Sequence, residues 1–332
     1  MTRDALSELR APDAAFDRGV GERLEEIERA LEAAVSSDIR LVSEAARHLI
    51  SAGGKRFRPR LVVLGSYFGE PEVPAVVDGA VAIELTHLAS LYHDDVIDEA
   101  DHRRGTPSVN ATWGNTIAVL TGDYLFAKAS EISADLGISI SRLFAETIAR
   151  VCEGQILEAE VTGRLDATEE AYTEVIRRKT AALIATSCRL GGLLSGAAPA
   201  DVERLDRCGE ALGMAFQLSD DIMDLTADEA TLGKEPGVDL KEGIFTLPVL
   251  YALDAAGGEL RGLLAAGPLD GDRLRRALDL VRSDGALDRA REAVTGQVGL
   301  AVAEAEQLAG GPARDALLAL ARFLATRCGA AA

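Results

Sequence analysis

Two stretches of the chain repeat one arrangement of carboxylates. Asp94, Asp95 and Asp98 in "LYHDDVIDEADHRRGTPS" spell D-D-x-x-D, and Asp220, Asp221 and Asp224 in "FQLSDDIMD" spell it again. On a helix the first and last positions of this motif share a face, one turn apart. Like charges at that spacing destabilise a helix, so two such motifs call for a compensating cation. Mg²⁺ accepts oxygen ligands from one or two carboxylates and completes its shell with water and substrate phosphates. An EF-hand is excluded, because its ligands alternate around a central glycine. A zinc site is excluded, because no His or Cys pair stands at ligand spacing. The competing reading is a solvated acidic helix face. Two motifs, each behind a largely apolar helical stretch, favour the metal.

With a formal net charge of −19, the chain can hold a diphosphate through metal ions that invert the local charge and through fixed cations. Its cations cluster. Lys55, Arg56 and Arg58 lie in the glycine-flanked "GGKRFRP", and Arg103 and Arg104 follow the first acidic motif. Lys179 precedes Thr180 in "RRKTAALIATS", and Lys234 follows the second motif. Lysine is scarce: Lys128 and Lys241 complete the set and read as surface residues. An ammonium kept in an arginine-rich chain suits a phosphate site, where Arg does not replace it freely. His87, two turns before Asp94, is placed to donate to an anion; a hydrogen-bonded core histidine is the alternative, and is favoured for His48. Trp113 reads as core or helix-junction packing.

The elements that position these groups are helices. Leu24, Ile27 and Leu31 repeat at helical spacing, as do Leu274, Ala277, Leu278 and Val281. Asp38 is the expected N-cap of a helix that Gly53 and Gly54 end, and Pro59 suits the first turn of the next. "VVDGAVAIELTHLASLYHDD" reads as a long, mostly buried helix carrying the first motif. Alternating strand patterns are nearly absent, and the breaks are short. The expectation is one all-α domain over residues 1–332, with residues 1–20 as a disordered N-terminal arm. Hydrophobic content of 48% is that of a chain with a sizeable core. The acidic balance argues against nucleic acid as a partner. Cys152, Cys188, Cys208 and Cys328 are scattered and read as reduced thiols. Neither a signal peptide nor a run of about 18 apolar residues is evident, so no membrane span and a cytoplasmic location are expected.

Together these segments resemble the trans-isoprenyl diphosphate synthase (polyprenyl synthetase) family. "GGKRFRP", "HLASLYHDDVIDEADHRRGTPSVN", "TGDYLF", "RRKTAALIATS", "FQLSDDIMD" and "GVDLKEGIFTLP" stand in family order and spacing, from about Asp38 to the last helix. The resemblance implies the isoprenoid synthase fold, an antiparallel helix bundle around a deep central cavity, assembled as a homodimer. It implies that Asp94, Asp95, Asp98, Asp220, Asp221 and Asp224 hold Mg²⁺, three ions with substrate bound. Lys55, Arg58, His87 and Arg104 would bind isopentenyl diphosphate. Arg103, Lys179, Thr180, Gln217 and Lys234 would serve the allylic diphosphate, whether dimethylallyl, geranyl, farnesyl or geranylgeranyl. Thr180 and Gln217 would also shield an allylic cation. One position departs from the family: Ile244 stands where many members carry lysine, which puts one allylic contact in doubt.

In the family, aromatic residues at the fourth and fifth positions before the first Asp signal short products. Here those positions are Ser90 and Ala89, and Leu85 and Thr86 on the turn above offer no aromatic block. The reading is a long-chain product of roughly C30–C50, with geranylgeranyl or farnesyl diphosphate as the alternatives. A class I terpene cyclase would need neither the second D-D-x-x-D nor "GGKRFRP". A catalytically silent subunit of a heteromeric synthase would tend to lose the acidic motifs.

Overall fold

The computed structural model describes residues 13–226, 236–255, 258–267, 269–283 and 285–330. The chain is helical almost throughout. The first helices are α1 (Ala14–Ala34), α2 (Arg40–Ser51), α3 (Phe57–Ser66) and α4 (Ala75–Ile97). A two-stranded hairpin, β1 (His102–Arg103) and β2 (Thr106–Pro107), follows α4. Next come α5 (Val109–Trp113), α6 (Asn115–Asp135), α7 (Ile138–Val161) and α8 (Glu169–Ile176). A π turn over Arg177–Ala181 leads from α8 into α9 (Ala182–Leu194), and α10 is Pro199–Thr226. The chain ends with α11 (Val238–Lys241), α12 (Leu247–Ala255), α13 (Gly258–Ala265), α14 (Gly271–Ser283), α15 (Ala286–Glu306) and α16 (Pro312–Thr326).

Helix α1 starts because Asp13 caps it, its carboxylate accepting from Ala15 N at 2.8 Å and Phe16 N at 3.2 Å. Phe16 and Val20 are already buried. The arm expected over residues 1–20 is therefore helical from Ala14 onward; residues 1–12 lie outside the described residues. Asp38 is not a cap. Helix α2 begins at Arg40 behind Ile39, and the turn before it is satisfied by serines. Ser43 Oγ accepts from Ser37 N at 2.8 Å, and Ser37 Oγ accepts from Ile39 N at 3.2 Å.

Helix α4 is the axis of the bundle and packs against α1, α3, α6 and α9. By length and composition it is apolar enough to span a membrane, which corrects the expectation that no such stretch exists, but most of it is buried inside the protein. Its apolar residues face neighbouring helices on every side, as in the core helix of a large bundle. Helix α10 carries the second acidic motif and packs on α9 and α15. The sequence places glycine where these helices meet closely. A Cβ on Gly191 of α9 would lie 2.1 Å from Val62 O, and one on Gly65 of α3 would lie 2.5 Å from Cys188 O. Trp113 meets His48 edge-on, with ring centroids 5.1 Å apart, where α5 joins α2. The cysteines form no disulfide, and only Cys152 is exposed.

Candidate active site

A cavity of about 640 Å³ opens where the C-terminal ends of α4 and α10 approach α7, α8 and the π turn. Its wall includes Asp94, Asp98, Arg103, Lys179, Thr180, Gln217 and Asp221, all singled out in the sequence. It also includes Glu158, Tyr172 and Asp239, which were not, and an apolar side formed by Val175, Ile176 and Phe245.

The first motif ends α4. Asp98 is its C-cap residue, with its N–H on Asp94 O at 2.8 Å, and Glu99 turns left-handed (φ 50°) to leave the helix. Asp94 and Asp98 thus share the cavity face, as the spacing predicts. Burial pushes the Asp94 carboxyl up to about 6, against the pull of Lys179, and Asp98 adds to the rise. Asp94 and Asp98 present two carboxylates to the cavity, the hard oxygen donors that Mg²⁺ accepts, so these residues fit the implied metal. Asp95 points the other way. It is fully buried, and its Oδ1 accepts from Arg103 Nε at 2.6 Å.

The hairpin separates the two arginines. Arg104 and Gly105 both take positive φ (55° and 76°), the pattern of a type I′ turn. Arg103 folds back to Asp95, while Arg104 donates Nη1 to Leu49 O at 3.1 Å and Gly53 O at 2.6 Å. Ser108 and Asn110 lock the turn: Ser108 Oγ donates to Ala100 O at 2.5 Å, and Asn110 Nδ2 donates to Asp95 O at 3.1 Å.

Arg104 ends in a basic cluster. Buried Glu84 accepts from Arg56 Nη1 at 3.2 Å and lies 3.9 Å from Arg104 Nη2. It also supports Arg58, which burial pushes down to about 10, with Arg104 adding to the fall. Arg56 is further tied to Glu28 by two bonds of 2.6 Å, so it is a structural cation. Burial holds His87 well below the usual imidazole value, and Arg58, Arg104, Arg103 and Arg56 reinforce this. His87 is therefore neutral, with arginines around it. Sequence reasoning missed Glu84; a charged residue inside the apolar run "VAIELTHL" was the available signal.

The second motif is engaged by protein at each position. Asp220 pairs with Arg327, just beyond α16, whose Nε also donates to Met223 Sδ at 3.2 Å. Lys55 lies close enough to feel both charges. Asp221 is buried; its Oδ2 accepts from the Tyr172 hydroxyl and its Oδ1 from Gln217 Nε2 at 2.8 Å. Burial, with Asp239 next in effect, pushes its carboxyl up to about 8, while Tyr172 and Gln217 pull it down. Asp224 accepts at its carbonyl from Gly237 N at 2.8 Å, and at Oδ2 from Asp239 N at 3.4 Å. The six aspartates differ in their surroundings: Asp94, Asp98 and Asp221 line the cavity, and Asp95 and Asp221 accept from protein donors.

Lys179 pairs with Glu158 of α7. The π turn sets Lys179 and Thr180 side by side on the wall, with the Ala182 N–H reaching back to Arg177 O. Such widened turns are frequent at functional sites. Ile244 also lies on the wall, whereas Lys241 is exposed and does not. Lys234 lies outside the described residues. Ala89, Leu85 and Thr86 are sealed in packing and Ser90 is half-buried; none reaches the cavity wall. The expected floor is thus not part of this cavity.

Residues 39–281 match the family model for polyprenyl synthetase. The chain belongs to the polyprenyl synthetase family. Nonaprenyl diphosphate synthase of Mycobacterium tuberculosis is 42% identical over 322 residues, 96% of each chain. Heptaprenyl diphosphate synthase component 2 of Geobacillus stearothermophilus is 50% identical over 228 residues, 68% of this chain and 71% of that one. The solved polyprenyl synthase of Caulobacter crescentus, complexed with calcium and isoprenyl diphosphate, superposes with a TM-score of 0.89 at 31% identity, covering 98% of both chains. This family member is a trans-prenyltransferase with the isoprenoid synthase fold.

Proposed function

We propose that the protein condenses isopentenyl diphosphate head-to-tail with an allylic diphosphate, using Mg²⁺, to build an all-trans polyprenyl diphosphate of roughly C30–C50. The observation that carries this is the single cavity that gathers Asp94, Asp98, Glu158, Arg103 and Lys179 around an apolar wall. Asp94 and Asp98, with Asp220 once Arg327 releases it, would hold the metal. Bound there, Mg²⁺ would supply charge stabilisation for the departing diphosphate.

Arg103 and Lys179 hold the allylic diphosphate at the mouth. Lys55, Arg58, His87 and Arg104 hold isopentenyl diphosphate, Glu84 keeping the arginines together. The allylic C–O bond breaks and the diphosphate leaves with the electron pair. The isopentenyl double bond attacks the allylic carbon, and a proton passes to the released diphosphate. Thr180 and Gln217 face the cation, and Val175, Ile176 and Phe245 exclude water that would quench it. No protein nucleophile is required.

The long product is supported by small residues at Ala89 and Ser90 and by the products named for the relatives. It requires α4 and α6 to part and admit the chain. Exposed apolar residues on α6 and α7, with Leu120 58% and Ile156 62% exposed, support a homodimer. Similarity to a component 2 favours one second reading, a catalytic subunit that needs another polypeptide. The test is the purified protein with Mg²⁺, farnesyl diphosphate and isopentenyl diphosphate, with products read by mass spectrometry. A dominant C15 or C20 product refutes the long-chain reading, and turnover only with a second polypeptide favours the subunit reading. Asp94→Ala and Asp220→Ala should each abolish turnover in folded protein; near-normal rates refute the metal assignment.

A further inference from the structure

Helix α4 ends together with the first acidic motif, and its exit runs against local preference. Asp98 closes the helix, Glu99 turns left-handed (φ 50°), and the Ala100 N–H reaches back to Asp95 O at 2.9 Å. This is a Schellman ending, in which glycine commonly takes the left-handed place because it has no Cβ to crowd. Glu99 stands there instead. A residue held in that region persists only when its surroundings over-determine it.

Asn110 supplies the constraint. From the first turn of α5, its Nδ2 donates to Asp95 O and to Ala100 O, both at 3.1 Å. Those carbonyls stand on either side of the left-handed turn, so one amide bridges it. Both partners are backbone carbonyls, which only accept, so the NH₂ end is selected whatever the protonation of the nearby carboxylates. The other end, Oδ1, is buried with no partner among the described residues, so the polar contacts of this amide are spent on the turn. The groups flanking the bridge belong to the cavity: Asp98 lies just before the turn and Arg103 three residues after Ala100, and both are on the wall. Arg104 is different. It has its own tethers, Leu49 O at 3.1 Å and Gly53 O at 2.6 Å, so it keeps its place without the bridge.

We propose that Asn110 is a positioning residue whose amide braces the left-handed exit from α4 and so holds Asp98 and Arg103 together on the allylic side of the cavity. This rests on the site assignment above. The test is a double-mutant cycle of Asn110→Ala and Glu99→Gly in the full chain, assayed with Mg²⁺, farnesyl diphosphate and isopentenyl diphosphate. Asn110→Ala should raise KM for farnesyl diphosphate and the half-saturating Mg²⁺ concentration roughly three- to tenfold, the scale of a lost hydrogen bond, with KM for isopentenyl diphosphate unchanged. Thermal stabilisation by Mg²⁺ plus inorganic diphosphate should weaken in parallel. In the Glu99→Gly background the same substitution should matter by less than about twofold, because glycine takes the left-handed turn unaided. Equal losses in the two backgrounds overturn the brace, as do KM values that rise together for both substrates or an Asn110→Ala protein indistinguishable from wild type. If Asn110→Ala does not fold, recovery of folding in the double variant reads the same coupling, and no recovery overturns it. A wild type that Mg²⁺–diphosphate stabilises but that makes no prenyl product refutes the proposed function instead, and the stabilisation arm still decides the brace.

Discussion

Asp94 and Asp95 are neighbours in the chain with opposite environments. Asp94 faces the cavity beside Asp98, and Asp95 is turned inward onto Arg103. Burial holds Asp94 near 6, above the unfolded value. The folded form thus binds its proton more tightly than the unfolded chain. The stability this group contributes is complete below the unfolded pKa and is lost as pH rises through about 6. Without metal, Asp94→Asn should therefore melt above wild type at about pH 8, with the gap closing toward pH 4. Melting curves across pH check this, and a pH-independent gap contradicts it. Glu84 is the second residue whose environment predicts an effect. Glu84→Gln leaves Arg56, Arg58 and Arg104 without their shared charge. It should cost about 3 kcal/mol or more, as for a broken buried pair, and raise KM for isopentenyl diphosphate. Urea unfolding and kinetics read the two effects; an unchanged KM would separate Glu84 from the substrate site.

The π turn is held from both sides by glycine. A Cβ on Gly154 of α7 would lie 2.4 Å from Lys179 N, and one on Gly213 of α10 would lie 2.5 Å from the Ala181 Cα. These approaches are to backbone, which cannot swing aside. Gly154→Ala should cost about 1–3 kcal/mol as an overpacking change and lower kcat by displacing Lys179 and Thr180. Differential scanning calorimetry beside kcat tests it, and a wild-type kcat would show that the turn tolerates the shift. Neither the turn nor its glycine clamps follow from "RRKTAALIATS", which reads as ordinary helix; the widening depends on what packs against it. The hairpin was equally hidden. "HRRGTPS" shows two arginines and a glycine, but their divergence depends on the left-handed backbone at Arg104.

The molecule as a whole raises assembly and product length. Leu120 on α6 and Ile156 on α7 are large apolar side chains open to solvent in one chain. If they lie between two copies, Leu120→Glu with Ile156→Glu should give a monomer by analytical ultracentrifugation; an unchanged mass would place the interface elsewhere. On the proposed function, the product grows along the packed seam between α4 and α6. Ala89→Phe or Ser90→Phe should shorten the product in mass spectra, and an unaltered product would show that the chain leaves by another route.

Local pattern alone determined the helical class, the two carboxylate motifs, the cationic segments and the family resemblance. Periodicity, charge spacing and short motifs are properties of contiguous residues, so they can be read without a fold. Only the tertiary structure decided that Asp94, Asp98 and Asp221 line the cavity, and that Asp95 accepts from Arg103 while Asp221 accepts from Tyr172 and Gln217. It also decided that Glu84 gathers the arginines and Glu158 meets Lys179. Those pairings join residues far apart in sequence, and they depend on which helix faces meet at the end of the bundle, where a charge left without a partner would be costly.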